Sequence, residues 1–287
     1  MKYPNSLQSF VYTAIAIAIC SLLLTAFSLH EVKQLKDVIE SLNTDVDGEK
    51  FLADNSALVD SRIDNRIDAY IEERKQKKIA RKYESYASAS KKIQSGKHIY
   101  GNENARFTLV EWTDLECAYC KKFHQTPKKV VDASNGLVNW ELKHLPLPFH
   151  NPVAAIEAHA AECVASISGN QAFWVFIQSV FEETKGNGQG AGDLVSLAQS
   201  IGIDEEKFSK CVNNGERRDV VASDIQHSKE LGINSTPTTF IVDNRTGQHI
   251  TIRGMQAPEA IASAIQRMKK EADISLLQNP STKRGNS

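Results

Sequence analysis

The segment that most constrains the fold is a pair of cysteines, two residues apart, placed directly after a short apolar run. Residues 107–112 read Phe-Thr-Leu-Val-Glu-Trp and predict a strand, and Cys117 and Cys120 open a helix predicted over 117–131. The dipole of a helix stabilises a thiolate at its N-terminus. The two-residue spacer lets the second sulfur close a disulfide onto the first. The pattern predicts a dithiol redox centre at a strand–helix junction.

The other cysteines and the charge balance disfavour several classes of protein. The five cysteines are Cys20, Cys117, Cys120, Cys163 and Cys211. They are too few for a disulfide scaffold, and no second Cys-x-x-Cys completes a zinc ribbon, although half of a metal site stays an alternative. The spacing of His144, His150 and His159 matches no standard ligand pattern, so we expect no metal. With 34 basic and 35 acidic residues, nothing points to a nucleic-acid partner.

The N-terminal residues 1–30 predict a membrane anchor. No charged side chain lies between Lys2 and Glu31, and the apolar run over 10–29 has the roughly twenty residues that a helix needs to cross a bilayer. A cleaved signal peptide, with a weak cleavage site near Ala26, is the alternative. We expect an uncleaved anchor, with the bulk of the chain in an oxidising space outside the cytoplasm.

A charged, helix-prone segment over 31–94 follows the anchor. It contains two apolar stripes with helical spacing, broken near Gly48, which fall short of the three or four heptads that define a coiled coil. A solvated helical stalk and a self-association segment both fit this pattern. The basic run from Lys75 to Lys82 predicts a solvated face, with attraction to lipid headgroups as the alternative.

A globular domain is predicted over 95–273, followed by a disordered polar tail over 274–287. A strand, a helix and a strand precede a long helical segment at about 152–231, and a strand pair and a closing helix follow it. This order predicts an α/β fold with an inserted helical subdomain. The glycine-rich segment 186–192 lacks the features of a phosphate loop, so we interpret it as a flexible connector.

Several motifs of this domain resemble the DsbA-like branch of the thioredoxin fold. In chain order they are Glu111-Trp-Thr-Asp-Leu-Glu-Cys-Ala-Tyr-Cys120, Leu145-Pro-Leu-Pro-Phe-His150, Ala160-Ala-Glu-Cys163, Phe173-Trp174 and Ser235-Thr-Pro-Thr-Thr-Phe240. The resemblance covers roughly residues 97–272. It implies a thioredoxin-like α/β fold with a helical insert, here preceded by a transmembrane helix and a helical stalk. It also implies a thiol–disulfide oxidoreductase that works outside the cytoplasm. Together with the predicted anchor, which lies outside the resemblance, this leads us to expect a protein held by a single pass at the bacterial inner membrane, with its domain in the periplasm.

The resemblance assigns catalytic roles to three residues. Cys117 is the exposed nucleophile at the start of the helix, and Cys120 is its buried partner in the internal disulfide. Glu111, at the end of the first strand, matches a buried acid that exchanges a proton with Cys120, and burial would raise the pKa of such a carboxyl. Simple solvation of Glu111 is the alternative. The redox-active disulfide needs no metal or organic cofactor.

The residues expected to face substrate are Tyr119, Thr236 and Pro237. By resemblance the Thr236–Pro237 bond is cis and lies against the cysteines, and the backbone of Thr236 pairs with an extended substrate. The most oxidising relatives carry a histidine between the cysteines, so Tyr119 predicts a milder oxidant. Thr236 is more typical of isomerases and reductases. Disulfide formation is the preferred direction, while an isomerase or reductase dimerised through the stalk and a non-catalytic peptide-binding module stay open.

The predicted helices of the domain contain two more cysteines and a histidine close to the dithiol. Cys163 and Cys211 lie in helices of the insert and are expected to form a structural disulfide, with two free buried cysteines as the alternative. His124, one helical turn past Cys120, is interpreted as a surface histidine, with an electrostatic effect on the dithiol as the alternative. The expected partners are cysteine-containing unfolded or partly folded proteins and a membrane protein that reoxidises or reduces the dithiol.

Overall fold

The structure is a computed structural model that describes residues 30–37, 39, 48–90, 93 and 96–278. The predicted anchor over 1–30, apart from His30, and Cys20 within it lie outside the described residues. Within the described ranges, no helix is long and apolar enough to cross a membrane. A boundary between Glu72 and Glu73 divides the chain into two compact units.

The first unit is helical where it is described. Residues 30–37 are helical, and helix α1 spans Gly48–Glu84 and so crosses the boundary between the units. Three apolar side chains of α1, at Ile63, Ile67 and Tyr70, are at least half exposed. Their spacing of four and three residues places them on one face of the helix. This face is the second of the two stripes predicted for the stalk.

The second unit is built around a five-stranded sheet. Its strands are β1 (His98–Gly101), β2 (Phe107–Thr113), β3 (Val138–His144), β4 (Thr238–Asp243) and β5 (His249–Arg253). Their spatial order is β1-β3-β2-β4-β5, with β2 and β3 parallel and the other neighbours antiparallel. Strands β2, β3 and β4 are almost entirely buried. Strand β2, which leads to the cysteine pair, therefore runs through the middle of the core.

Helices cover this sheet and form the insert. They are α2 (Ala118–Phe123), α3 (Gln125–Asp132), α4 (Val153–Glu183), α5 (Leu194–Gln199), α6 (Glu205–Asn214), α7 (Arg218–Glu230) and α8 (Pro258–Gln278), with a 3-10 turn at Pro148–His150. Helices α4 to α7 lie between β3 and β4 and pack on one another. Helix α4 continues through a break at Gly169, where φ is 82°. The predicted thioredoxin-like α/β fold with a helical insert is confirmed.

The second unit extends before residue 95, where the sequence placed its start. Tyr86 and Ala89 are buried in the main core, and the ring of Tyr86 stacks on that of Trp174 with centroids 6.3 Å apart. Tyr83 donates a hydrogen bond to the carbonyl oxygen of Ile201. The charged, helix-prone sequence over 31–94 predicts a stalk, but the rings of Tyr83 and Tyr86 pack into the domain.

The C-terminal end also differs from the predicted boundary. Helix α8 continues to Gln278, beyond the start of the tail predicted over 274–287. Ala272 is buried, and Asp273 accepts hydrogen bonds from Arg106 at 3.3 Å and Arg245 at 2.8 Å. These contacts hold the helix past the point where its apolar pattern fades. Residues 279–287 lie outside the described residues.

Candidate active site

Cys117 and Cys120 lie at the start of α2, directly after the turn that follows β2. Cys117 is the N-cap residue of α2, and its N–H donates to the carbonyl oxygen of Asp114 at 3.1 Å. Cys120 is fully buried, and the Cys117 side chain is only 7% exposed. Cys117 was expected to be exposed, but the loop before β4 covers it.

The two thiols are free and differ strongly in acidity. A hydrogen bond from the Cys120 thiol is the largest cause that lowers the pKa of Cys117, to about 5, and it outweighs the effect of burial. The backbone N–H groups of Cys120 and Tyr119 act in the same direction. Burial, followed by the same hydrogen bond, raises the pKa of Cys120 well above its usual value. At neutral pH Cys117 is therefore the thiolate and Cys120 carries the proton.

The loop that covers Cys117 contains Thr236 and Pro237. The bond between them is cis, and the Thr236 carbonyl oxygen lies 3.6 Å from the Cys117 sulfur. The register of the sheet explains this approach, because Thr238 at the start of β4 lies opposite Trp112 near the end of β2. The Thr236 hydroxyl is buried without a hydrogen-bond partner within the described residues, and it contributes to the low pKa of Cys117.

Glu111 lies in β2 and is 1% exposed. Burial raises the pKa of its carboxyl to about 8, and the charge of Cys117 adds to the rise. The side chains of Thr113 and Trp140 lower the pKa of this carboxyl and so offset part of the rise. They act as nearby dipoles, because Glu111 Oε2, Thr113 Oγ1 and Trp140 Nε1 each lack a hydrogen-bond partner among the described residues. A negative charge on Glu111 in turn raises the pKa of Cys120. The carboxyl and the buried thiol are thus electrostatically coupled.

Tyr119 and His124 lie on the same chain segment in opposite environments. Tyr119 is 61% exposed, whereas His124 is buried and was wrongly interpreted as a surface residue. The His124 Nε2 atom lies 2.9 Å from the Tyr86 hydroxyl, and its ring packs edge-to-face on Trp140. Burial, aided by the positive charge of Lys128, lowers the pKa of His124 to about 3. A neutral imidazole gives the dithiol no positive charge.

The remaining residues singled out in the sequence lie in the insert or at its edge. The sulfurs of Cys163 and Cys211 are bonded at 2.03 Å and connect α4 to α6. The three histidines have separate partners: Glu162 for His144 at 3.2 Å, Asp114 for His150 at 2.8 Å, and Cys163 for His159 at 3.6 Å. In the part of the chain that the structure describes, no group of three or more histidine, cysteine, aspartate or glutamate side chains is arranged to hold a metal.

Sequence reasoning missed a set of buried acids beside the dithiol. Asp114 and Glu116 lie three residues and one residue before Cys117, and Glu157 reaches the same region from α4; all three are at most 1% exposed. Asp114 accepts hydrogen bonds from the N–H groups of Glu116 at 2.8 Å and Leu147 at 2.7 Å. The density of acids in the 111–116 motif was the available signal, but exposure could not be read from it.

Comparison with known proteins places this fold and site in a family. The family model described as thioredoxin matches residues 93–262, more than half of the chain. The chain belongs to the thioredoxin family. Pseudomonas aeruginosa DsbA2 is 34% identical with a TM-score of 0.54, over 60% of this chain and 94% of that chain. Bacillus subtilis BdbD has the same fold, at 23% identity and a TM-score of 0.52, over 63% of this chain and 96% of that chain.

These matches confirm the predicted DsbA-like branch, and the chain is a DsbA-like thiol–disulfide oxidoreductase. It is also similar to the Na⁺/H⁺ antiporter NhaA of Herminiimonas arsenicoxydans, with 28% identity over 174 residues, 60% of this chain and 26% of that protein. NhaA 3 of Salinispora tropica is 26% identical over 175 residues, again 26% of that protein. The chain thus spans about a quarter of the length of these curated relatives, and the similarity concerns a part of each.

Proposed function

We propose that this DsbA-like protein is a membrane-anchored oxidoreductase that forms disulfides in secreted and envelope proteins at Cys117-Ala-Tyr-Cys120. The observation that carries the proposal is the contrast between the two thiols. The pKa of Cys117 is lowered to about 5, and that of Cys120 is raised well above its usual value. A thiol of low pKa is a good leaving group, so a disulfide to Cys117 is readily reduced by a substrate.

The exchange proceeds in two displacements. A substrate thiolate attacks the Cys117 sulfur, the bond between Cys117 and Cys120 breaks, and a mixed disulfide forms while Cys120 leaves with the electron pair. A second substrate thiolate then attacks the substrate sulfur of the mixed disulfide. The substrate leaves with a disulfide, Cys117 leaves as a thiolate, and two electrons have passed to the protein. Unfolded or partly folded proteins with cysteines are the substrates that this chemistry fits.

Glu111 supplies the proton that the first displacement needs. Cys120 is a poor leaving group as a bare thiolate, because burial raises its pKa well above the usual value. The Glu111 carboxyl, with a pKa of about 8, is protonated at neutral pH and can pass its proton to the departing sulfur. The proton returns when the dithiol is reoxidised. This is the reason to place an acid in the buried middle of β2.

The loop of Thr236 and Pro237 is proposed to bind the substrate chain. The Thr236 carbonyl oxygen is 3.6 Å from the Cys117 sulfur, so a substrate cysteine bonded to Cys117 would lie beside this backbone. An extended substrate segment can pair with the backbone of Thr236 as an added strand. Tyr119, at 61% exposure, is the neighbouring side chain available for contact with the substrate.

The anchor and the location belong to the same proposal. The apolar run over 10–29 would hold the protein by a single pass at the bacterial inner membrane, with its domain in the periplasm. A membrane redox partner that accepts electrons would reoxidise the dithiol. The second candidate function is a disulfide isomerase or reductase dimerised through the stalk. The exposed apolar face of α1, with Ile63, Ile67 and Tyr70, favours it.

The reduction potential of the full-length protein in detergent, equilibrated with glutathione buffers, tests the direction. A value of about −120 to −180 mV supports an oxidising or isomerising centre, and the oligomeric state then separates those two. A value of about −270 mV, as in thioredoxin, would make the protein a reductase. The Cys117→Ser variant is the control. If it keeps full biological activity, the protein is a peptide-binding or assembly module instead.

A further inference from the structure

Glu116, the residue directly before the nucleophile, is held by a loop of the helical insert. Its side chain is fully buried, and its carboxylate accepts hydrogen bonds from the Thr184 hydroxyl and, at 3.0 Å, from the Gly190 N–H. Its carbonyl oxygen accepts a third hydrogen bond, from the Asn187 N–H at 2.8 Å. The position of Cys117 is therefore tied to this loop through both the backbone and the side chain of its neighbour.

The loop is the glycine-rich segment 186–192, for which the sequence predicted a flexible connector. Gly186, Gly188 and Gly190 have φ values of 76°, 79° and 81°, in the region that glycine adopts without steric cost. A Cβ atom on Gly190 would lie 3.2 Å from the Val153 side chain, so this glycine also permits close packing on α4. The glycines give the loop the shape in which its N–H groups reach Glu116.

A second buried acid, Glu157 in the first turns of α4, meets Glu116 at this loop. Glu157 is 1% exposed, and its Oε1 atom accepts a hydrogen bond from the Ala191 N–H at 2.8 Å. Its Oε2 atom accepts no hydrogen bond from any donor within the described ranges. Because Gly190 and Ala191 are consecutive, the two carboxyl groups bind neighbouring N–H groups of one loop, and the Glu116 side chain acts on the Glu157 carboxyl there.

No cation among the described residues is paired with either carboxyl group. Among the described residues, neither acid forms an ion pair. The nearby His150 pairs with Asp114 at 2.8 Å, and Lys121 donates to main-chain carbonyl groups. Adjacent buried carboxyl groups do not both ionise at neutral pH. Burial, with added repulsion from Glu116 and Asp114, raises the pKa of Glu157 to about 8.

We propose that Glu116 and Glu157 share one proton, and that this proton holds the glycine-rich loop, and through it Cys117, in place. Glu157 is a positioning residue, because it acts on Cys117 through Glu116 and the loop. Protonated Glu157 donates from Oε2 to the Glu116 carboxylate. When the proton dissociates to solvent at alkaline pH, the two carboxylates repel each other and the loop loosens. The inference rests on the proposed function, in which Cys117 is the nucleophile.

Hydrogen exchange of the loop amides in the oxidised full-length protein tests the shared proton. We expect the protection factors of Gly190 and Ala191 to fall about tenfold between pH 7 and pH 9.5, which corresponds to about 1.4 kcal/mol of repulsion. The Glu157→Gln variant keeps the acceptor and an amide donor but cannot ionise, so its protection should stay constant. Glu206→Gln removes an exposed charge on α6 and should follow the wild type. Constant protection in the wild type, or the same fall in Glu157→Gln, would overturn the inference.

Alkylation of Cys117 in the reduced protein provides a readout that a purely structural role would not move. Once Cys117 is fully ionised, its alkylation rate should be constant with pH. Above about pH 8, this rate should change at least twofold in the wild type, whereas it should stay constant in Glu157→Gln. Glu111 is present in both proteins, so its titration cancels from the comparison. Identical alkaline profiles would contradict the positioning role. Exchange with a dithiol peptide at pH 7, measured on the same samples, tests the proposed function separately.

Discussion

The reduction potential of the Cys117–Cys120 couple should depend on pH along two straight segments that meet near pH 5. Reduction of the disulfide takes up two electrons and, where both thiols are protonated, two protons. Above the Cys117 pKa of about 5, the reduced protein binds only the proton of Cys120, whose pKa is raised well above its usual value. The slope should therefore change from about −59 mV to about −30 mV per pH unit.

The same acidities give the size of the effect at neutral pH. With a pKa of about 5 in place of the ordinary value of about 8.5, Cys117 is almost fully ionised at pH 7. This ionisation stabilises the reduced protein about 100-fold, which makes the couple about 60 mV more oxidising. The stabilisation is present above pH 5 and is lost as the pH falls through it.

The assay equilibrates the full-length protein with glutathione buffers at each pH and quenches by acid alkylation. Peptide mass mapping separates this couple from the buried Cys163–Cys211 disulfide. A single slope of about −59 mV per pH unit from pH 4 to pH 8 would show that both thiols stay protonated. That result would refute the assignment of Cys117 as the thiolate.

Three substitutions test other parts of the account. Glu111→Gln removes the proposed proton donor and should slow the release of Cys120 about 100-fold at pH 7. Stopped-flow exchange with a dithiol peptide measures this rate, and an unchanged rate would show that the carboxyl does not donate the proton. Thr236→Val removes a hydroxyl that lowers the pKa of Cys117, and it should raise that pKa by about 1. The pH dependence of alkylation measures the change, and an equal or lower pKa would show that this hydroxyl does not act on Cys117. Replacing Cys163 and Cys211 by alanine removes a disulfide between residues 48 positions apart and should lower the free energy of unfolding by about 4 kcal/mol. Urea denaturation measures this loss, and thiol–disulfide exchange at Cys117 and Cys120 should be unchanged. Equal stability would contradict a structural role for this disulfide.

The parts of the site that could be predicted from the sequence depend on local motifs. The cysteine pair at a strand–helix junction, and a threonine–proline pair before a later strand, are short patterns whose positions follow from the family resemblance. The structure brings the two together because β4 pairs with β2 and starts opposite the end of that strand. The order of strands and helices likewise indicated the fold class, since each long element has its own periodicity.

The parts that could not be predicted depend on contacts between distant residues. Strand β1 has four residues, too few for an alternation pattern, and is defined by its pairing with β3. Tyr86 reads as part of a charged helix, yet its hydroxyl contacts His124, which makes both core residues. The meeting of Glu116 and Glu157 depends on the loop that joins α4 to α5, and no local pattern encodes it.

The ionisation of Cys117 can be titrated directly in the reduced full-length protein. Thiolate absorbance in the ultraviolet is followed from pH 3 to pH 9, with Cys117→Ser as the blank for all other groups. We expect an apparent pKa of about 5 that disappears in the blank. An apparent pKa of about 8.5, the value of a free cysteine, would contradict the claim that the Cys120 thiol, the start of α2 and the Thr236 loop prepare Cys117 for exchange.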